Sequence, residues 1–122
     1  MEFFINQGAT LPVLKMQVVK DGVAEIDEFM TLIENSTVYF SMMNVETGAY
    51  RILNNIAGFV EKTFIDPNAK TEYYLYYKFN ENETNQPGLY KGEFVLSSDE
   101  GTQILPLREE LIIKIGESYV IT

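Results

Sequence analysis

The sequence predicts an all-β fold, an antiparallel β-sandwich of about seven strands that forms a single domain over residues 1–122. Three observations support this prediction: apolar and polar residues alternate with a period of two, turn-forming clusters separate the alternating runs, and the composition suits one core. The chain has 122 residues, of which 46% are hydrophobic and 13% aromatic. That length fits one domain of ordinary size without a disulfide or metal to stabilise it.

Each strand is predicted from its own alternation. The alternating runs cover residues 14–18, 38–42, 73–79, 90–97 and 111–115, and an edge-like strand is expected around Phe59, with Ala57 and Glu61. Clusters of Gly, Pro, Asn and Asp lie between them at 20–22, 46–48, 66–68, 85–88 and 98–101. These residue types tolerate or preset turn dihedrals, so each cluster marks a point where the chain reverses.

One segment departs from the strand pattern. Val23, Ile26, Met30 and Ile33 recur at helical spacing, and Asp27 is suited to cap a helix. The sequence therefore predicts a short helix near 27–34.

The stretch that begins at Pro87 and Gly88 indicates which kind of β-sandwich the chain forms. This turn leads to Tyr90, the first inward residue of a strand that also buries Phe94. A tyrosine at this place is typical of the tyrosine corner in immunoglobulin-like sandwiches, where its hydroxyl bonds to backbone upstream. Gly92 stands where antibody domains hold a cysteine. We therefore expect an immunoglobulin-like sandwich without the usual disulfide bridge.

The composition excludes several kinds of chemistry. Cysteine and histidine are absent, which excludes thiolate nucleophiles, Cys/His zinc sites and imidazole acid-base catalysis. Nine Lys and Arg against 18 Asp and Glu give a net charge of −9, so we expect no nucleic-acid partner. We also expect no membrane partner, since no run of about 18 apolar residues occurs.

Carboxylates remain as the abundant acid-base and metal-binding groups. The pairs at 81 and 83 and at 109 and 110 lie in polar, turn-like stretches, where we expect solvated surface rather than a catalytic pair. The loops at 66–68, 80–83 and 99–100 are rich in oxygen, yet none has the pattern of a calcium-binding loop. We therefore expect no enzymatic activity, no metal and no cofactor.

Five aromatic residues are candidates for a protein interface. Phe3 and Phe4 are adjacent in an apolar stretch, and in an extended chain their side chains point to opposite sides, so one sheet cannot bury both. Tyr39, Tyr74 and Tyr76 alternate with core residues, and we expect them on an outer face. The last two leave an alternative open, because they suit a stacking platform for sugars in a carbohydrate-binding module.

The order and spacing of these segments resemble the amino-terminal, immunoglobulin-like domain of phage baseplate upper proteins and related fibre-anchoring virion proteins. The matching segments are 6–12, 14–18 with 21–22, 37–42, 87–90 with Phe94, 99–101, 105–106 and 111–115. The resemblance implies a non-enzymatic virion component that anchors fibres or receptor-binding proteins to a baseplate, tail or capsid.

The same resemblance sets further expectations. The partners would be other virion proteins or further copies of this chain, and assembly would take place in the cytoplasm of the host bacterium. The segment 23–35 is longer than the family pattern, and the chain ends at Thr122 without a distal fibre. We therefore expect a stand-alone adaptor or a decoration subunit.

Overall fold

Residues 1–18, 34–62, 72–106 and 109–118 are described by the computed structural model, and they contain nine β-strands. The strands are β1 (Glu2–Asn6), β2 (Leu14–Gln17), β3 (Thr37–Asn44), β4 (Tyr50–Ile56), β5 (Gly58–Lys62), β6 (Glu72–Tyr77), β7 (Gly88–Ser98), β8 (Gly101–Leu105) and β9 (Leu111–Gly116). The all-β prediction is confirmed. The short helix predicted near 27–34 lies outside the described residues except for its last position, Glu34.

The strands form two sheets that enclose the core. The six-stranded sheet has the order β1-β9-β7-β3-β4, with β8 also paired to β7, and the three-stranded sheet has the order β2-β6-β5. Strand β1 runs parallel to β9, while the other pairs are antiparallel. The predicted antiparallel sandwich is confirmed, and this edge departs from it because the first strand lies beside the last and runs in its direction.

Strands β8 and β9 together occupy one side of β7. Strand β8 pairs with the carboxyl half of β7, and β9 pairs with its amino half. They act as one strand interrupted in sequence by residues 106–110. Counted this way, the arrangement is the immunoglobulin-like order, in which strands B, E and D face strands G, F, C and C′.

Alternate strand positions supply the core, as the sequence predicts. Phe40 lies at its centre, with its ring centroid 4.7 Å from that of Tyr77 and 5.1 Å from that of Phe94. A side chain at Gly92 would meet Ile113 at 2.7 Å and the Phe40 ring at 3.0 Å. Glycine at this position, where antibody domains hold a cysteine, therefore leaves the space that Phe40 fills.

The corner predicted at Tyr90 has the expected geometry. Tyr90 is 1% exposed, and its hydroxyl donates a hydrogen bond of 2.8 Å to the backbone carbonyl of Gln86. Gly88 has a φ of 153°, which lies in the region that favours glycine. The turn at Pro87 and Gly88 thus delivers the tyrosine ring into the core while its hydroxyl holds the preceding loop.

Three of the nine described strands, β1, β4 and β8, lie outside the predicted alternating runs, and β4 escapes the alternation rule for a structural reason. Asn54 has a φ of 51°, and the pairing of β3 with β4 shifts register between Phe40 and Met42. Such a bulge adds a residue to one strand and changes which side later residues face. The apolar and polar residues of β4 therefore do not alternate in sequence, although the strand is well paired.

Candidate interaction surface

A row of apolar side chains crosses the outer face of the six-stranded sheet. Ile104 pairs with Val95, Val95 with Tyr39, and Tyr39 with Ile56. Directly paired residues share a face, and Phe94, which precedes Val95, is buried in the core, so these four side chains face outward. We call these four residues, on β8, β7, β3 and β4, the outer row.

The ends of the outer row are open to solvent. Ile56 is 77% exposed and Ile104 is 49% exposed, while Tyr39 and Val95 between them are half-buried. With neighbouring strands about 4.8 Å apart, four strands span about 14 Å. A continuous exposed apolar patch with a polar border marks an interaction site more often than isolated surface residues do.

The border of the outer row is polar on one side and carries charge on the other. On one side of the row, Thr37 pairs with Ser97, and Ser97 pairs with Thr102. Ser41 pairs with Glu93 on the other side. An apolar centre with such a polar rim is the usual anatomy of a protein–protein interface.

The edge strand β4 adds further exposed apolar surface. Tyr50 and Leu53, in addition to Ile56 at the end of the strand, are more than half exposed. Tyr50 pairs with Met43 and so shares the outer face with the outer row. None of these three β4 residues is predicted from alternation, because the bulge at Asn54 interrupts the strand pattern.

A small pocket opens on the same face beside the interruption between β8 and β9. Its volume is about 200 Å³, and its lining includes Tyr50, Glu93 and Glu109. Lys91, also in the lining, forms an ion pair of 2.7 Å with Glu110. Pockets that enclose a small-molecule ligand are typically about 300–1,000 Å³. This one is of a size to receive a side chain from a docking surface.

The two amino-terminal phenylalanines divide between core and surface. The Phe3 ring stacks on Phe79 with centroids 6.2 Å apart and packs against the core. Phe4 is 60% exposed, and the Lys114 ammonium lies 5.2 Å from its ring centroid. The expectation that one sheet cannot bury both is met. Phe3, however, contributes to core packing and does not belong to the outer surface.

The three candidate tyrosines do not share one face. Tyr39 lies on the outside of the six-stranded sheet, whereas Tyr74 and Tyr76 flank the buried Leu75 on the outside of the three-stranded sheet. The expectation of one common tyrosine face is therefore wrong. The Tyr76 ring also lies over Gly58, where any side chain would collide with it. This contact gives Tyr76 a packing role next to the edge strand β5.

The loop between β6 and β7 carries Glu83, which forms a polar cluster with Tyr77 on β6, Asn55 on β4 and Asn80. Tyr77 and Glu83 are buried while the two asparagines are exposed, and we call this group the buried polar cluster after its centre. Glu83, which we expect from sequence to be solvated, is only 8% exposed. One of its carboxylate oxygens accepts from the Tyr77 hydroxyl at 2.7 Å and from the Asn55 amide at 3.0 Å. The other accepts from the Asn80 backbone N–H at 2.9 Å.

Burial governs the ionisation of Tyr77 in this cluster. The pKa of Tyr77 is raised to about 12, chiefly by burial; the Asn55 hydrogen bond lowers this pKa, and the hydrogen bond to Glu83 and the negative charge of Glu83 raise it. The phenol is therefore protonated at neutral pH and serves as a donor to Glu83. These bonds hold the loop in place.

The same loop is also hydrogen-bonded to the segment between β1 and β2 and to strand β4. The fully buried Thr84 donates its hydroxyl to the carbonyl of Ala9 at 2.8 Å. Arg51 on β4 donates to the carbonyl of Asn82 and to the side chain of Asn85. These hydrogen bonds indicate that the polar residues of the loop stabilise the fold.

Within the described ranges, no group of three or more acidic, His or Cys side chains is arranged to hold a metal ion. Over the same part of the chain, no helix has the length and apolarity required to cross a membrane.

No protein-family model, curated protein or solved structure matches this chain. The chain is therefore classed by its fold alone, as an all-β sandwich. The distinctive surface feature of this sandwich is the outer row.

Proposed function

We propose that the protein is a non-enzymatic interaction module that serves in a bacteriophage virion. In this role it acts as an adaptor or decoration protein that anchors fibres or receptor-binding proteins to the baseplate, tail or capsid. The outer row supports docking as the activity. The sequence resemblance to fibre-anchoring domains supports the virion as the setting, with assembly in the host bacterial cytoplasm.

The single observation that carries the proposal is the open apolar surface across four strands. Covering apolar surface contributes roughly 25 cal/mol per Å² removed from water. Ile56 and Ile104 are large apolar side chains that the fold leaves largely in water, whereas Ile113 and Ile115 on β9 are buried. A neighbouring virion protein that covers them gains this free energy.

Mass spectrometry of gradient-purified particles of the encoding phage tests the setting. We expect the chain at a fixed copy number relative to the major capsid or baseplate protein, and resistant to washing with moderate salt. Detection in infected-cell lysate but not in purified particles would contradict the proposal.

Carbohydrate binding is the competing function, because Tyr74 and Tyr76 do share the outer face of the three-stranded sheet. Two tyrosines on one face, two residues apart, suit stacking on successive sugar rings. A glycan array with the wild-type chain and with Tyr74→Ala separates the two functions. We expect no selective binding; selective binding that Tyr74→Ala abolishes would replace docking with carbohydrate recognition.

A further inference from the structure

A pocket beside the outer row is built mainly from three neighbouring strands. Tyr50 on β4 pairs with Met43 on β3, and Met43 pairs with Lys91 on β7. Ser41 and Glu93 form the adjacent outward pair on β3 and β7. All five residues line the pocket, whose volume is about 200 Å³. The lining is completed by Gly92 and by four residues around the interruption between β8 and β9: Pro106, Glu109, Glu110 and Leu111. The sheet therefore holds most of this lining in place without a ligand.

Ion pairs within the protein leave one carboxylate of this pocket without a partner. Glu110 lies 2.7 Å from the Lys91 ammonium, and Glu109 lies 3.7 Å from the amino-terminal ammonium of Met1. The half-buried Glu93 makes no hydrogen bond or ion pair within the part of the chain that the structure describes. Withdrawing a carboxylate from water costs free energy unless a cation or a hydrogen-bond donor faces it. Glu93 is therefore the charged group of the pocket with capacity left for a ligand.

The apolar part of the lining determines which cation suits Glu93. Tyr50, which is 56% exposed, contributes an aromatic ring, and Met43 and Pro106 contribute apolar side chains. Inorganic cations prefer several oxygen ligands, and no described group of three or more acidic side chains is arranged to hold one. A guanidinium group is weakly hydrated, stacks on aromatic rings and donates two parallel hydrogen bonds to a carboxylate. An arginine side chain thus matches both the carboxylate and the apolar walls.

We propose that this pocket binds an arginine side chain of the docking partner, with its guanidinium against Glu93 and its aliphatic stem along Tyr50 and Met43. The proposal rests on the docking role proposed above and adds the residue type that the partner contributes. Arginine is favoured over lysine because the lysine ammonium is a compact, strongly hydrated charge that gains less from an aromatic wall.

A protein partner is favoured because the pocket is continuous with the outer row. Glu93 lies two residues from Val95 on β7, and Ser41 lies two residues from Tyr39 on β3, which is a step of ~7 Å along one face of a strand. A surface that inserts an arginine here therefore also reaches the apolar side chains of the row. The net charge of −9 favours the approach of such a basic surface. Arginine is also among the residues most enriched at the energetic centres of interfaces.

Nuclear magnetic resonance titration of the full, isotopically labelled chain measures binding in the pocket directly. The probe is N-acetylarginine amide, and N-acetylcitrulline amide, which has nearly the same shape but no charge, is its control. With the arginine probe we expect saturable shifts of the Tyr50 and Gly92 amide signals, with a Kd of about 1–10 mM at low salt and weaker binding at about 500 mM NaCl. Glu93→Gln should raise the Kd at least ~5-fold. Glu81→Gln changes an exposed carboxylate in the loop between β6 and β7 and should leave the Kd unchanged.

Three results would overturn the arginine site: no saturable shift at ~50 mM probe, equal binding of the citrulline probe, or equal weakening by the two variants, whose amide spectra verify that they are folded. Arg108→Ala tests the chain's own arginine, which lies in sequence between the lining residues Pro106 and Glu109. A lower Kd in this variant would assign the pocket to Arg108 and also overturn the proposal. A chain that binds the probe but is absent from particles refutes the virion role and leaves the arginine site standing. A chain that is present in particles but binds no probe refutes only the arginine site.

Discussion

The buried polar cluster and the outer row show opposite uses of side chains within one small sandwich. In the cluster, the Glu83 carboxylate is removed from solvent and accepts hydrogen bonds from Tyr77, Asn55 and Asn80. In the outer row, the apolar side chain of Ile56 remains 77% exposed. Polar groups are thus satisfied inside the protein while apolar groups are left in water.

This difference separates stability from docking. A buried polar group whose bonds are all made internally contributes to the fold and has no capacity left for a ligand. An exposed apolar side chain contributes little to the fold and gains free energy only when something covers it. Changes at the loop end of the molecule should therefore alter stability, and changes in the outer row should alter association.

The largest loss of stability is expected on replacement of Tyr90, the tyrosine of the corner. Tyr90→Ala removes a buried ring and the bond to Gln86, so we expect a loss of ~3–5 kcal/mol in the free energy of unfolding by urea titration. Lys91→Ala, one residue on, removes an exposed ion pair with Glu110 and should cost under ~1 kcal/mol. Equal losses at the two positions would show that the assigned faces of β7 are wrong.

A smaller loss is expected inside the cluster. Glu83→Ala leaves the Tyr77 hydroxyl, the Asn55 amide and the Asn80 N–H without their acceptor, which should cost roughly 2–4 kcal/mol. Glu81→Ala is the matched control in the same loop, because Glu81 is exposed, and it should cost under ~0.5 kcal/mol. If both variants melt like the wild type, the cluster does not stabilise the loop.

The raised pKa of Tyr77 also predicts how the free energy of unfolding depends on pH. The pKa of Tyr77 is about 12 in the folded protein against 10.0 for an ordinary tyrosine. Above pH 10 the unfolded chain releases this proton first, so the free energy of unfolding falls as the pH rises from 10 towards about 12. Below pH 10 the contribution of this group is complete.

Urea titrations of wild type and Tyr77→Phe between pH 9 and about 12 isolate this effect. We expect the variant to be less stable by ~1 kcal/mol at pH 9, from the lost hydrogen bond, and to show a shallower decline above pH 10. Parallel declines for the two proteins would contradict the raised pKa of Tyr77.

The sequence predicts the core far better than either of these regions. Alternation correctly places Leu75, Phe94 and Ile113 inside, because a period of two specifies faces without knowledge of the partner strand. The side of each phenylalanine at positions 3 and 4 is not predictable in this way. Alternation shows that they differ, but the pairing of β1 with β9 decides which one meets the core.

The outer row and the polar cluster depend on information that alternation lacks. Ile104 and Ile56 belong to one row only because the register of three strand pairs aligns them through Val95 and Tyr39. Glu83 lies in a polar stretch typical of a solvated turn, and only the folded loop brings it to Tyr77.

The central claim is that the outer row serves docking and not the fold. The most direct test compares Ile56→Ser combined with Ile104→Ser against the control Val60→Ser, measuring the thermal melt and the number of copies in purified particles. Because these side chains are largely exposed, the double variant should lose under ~1 kcal/mol of stability. Its copy number per particle should fall at least ~10-fold, with the control unchanged. A double variant that is folded and incorporated at the wild-type level would contradict the claim.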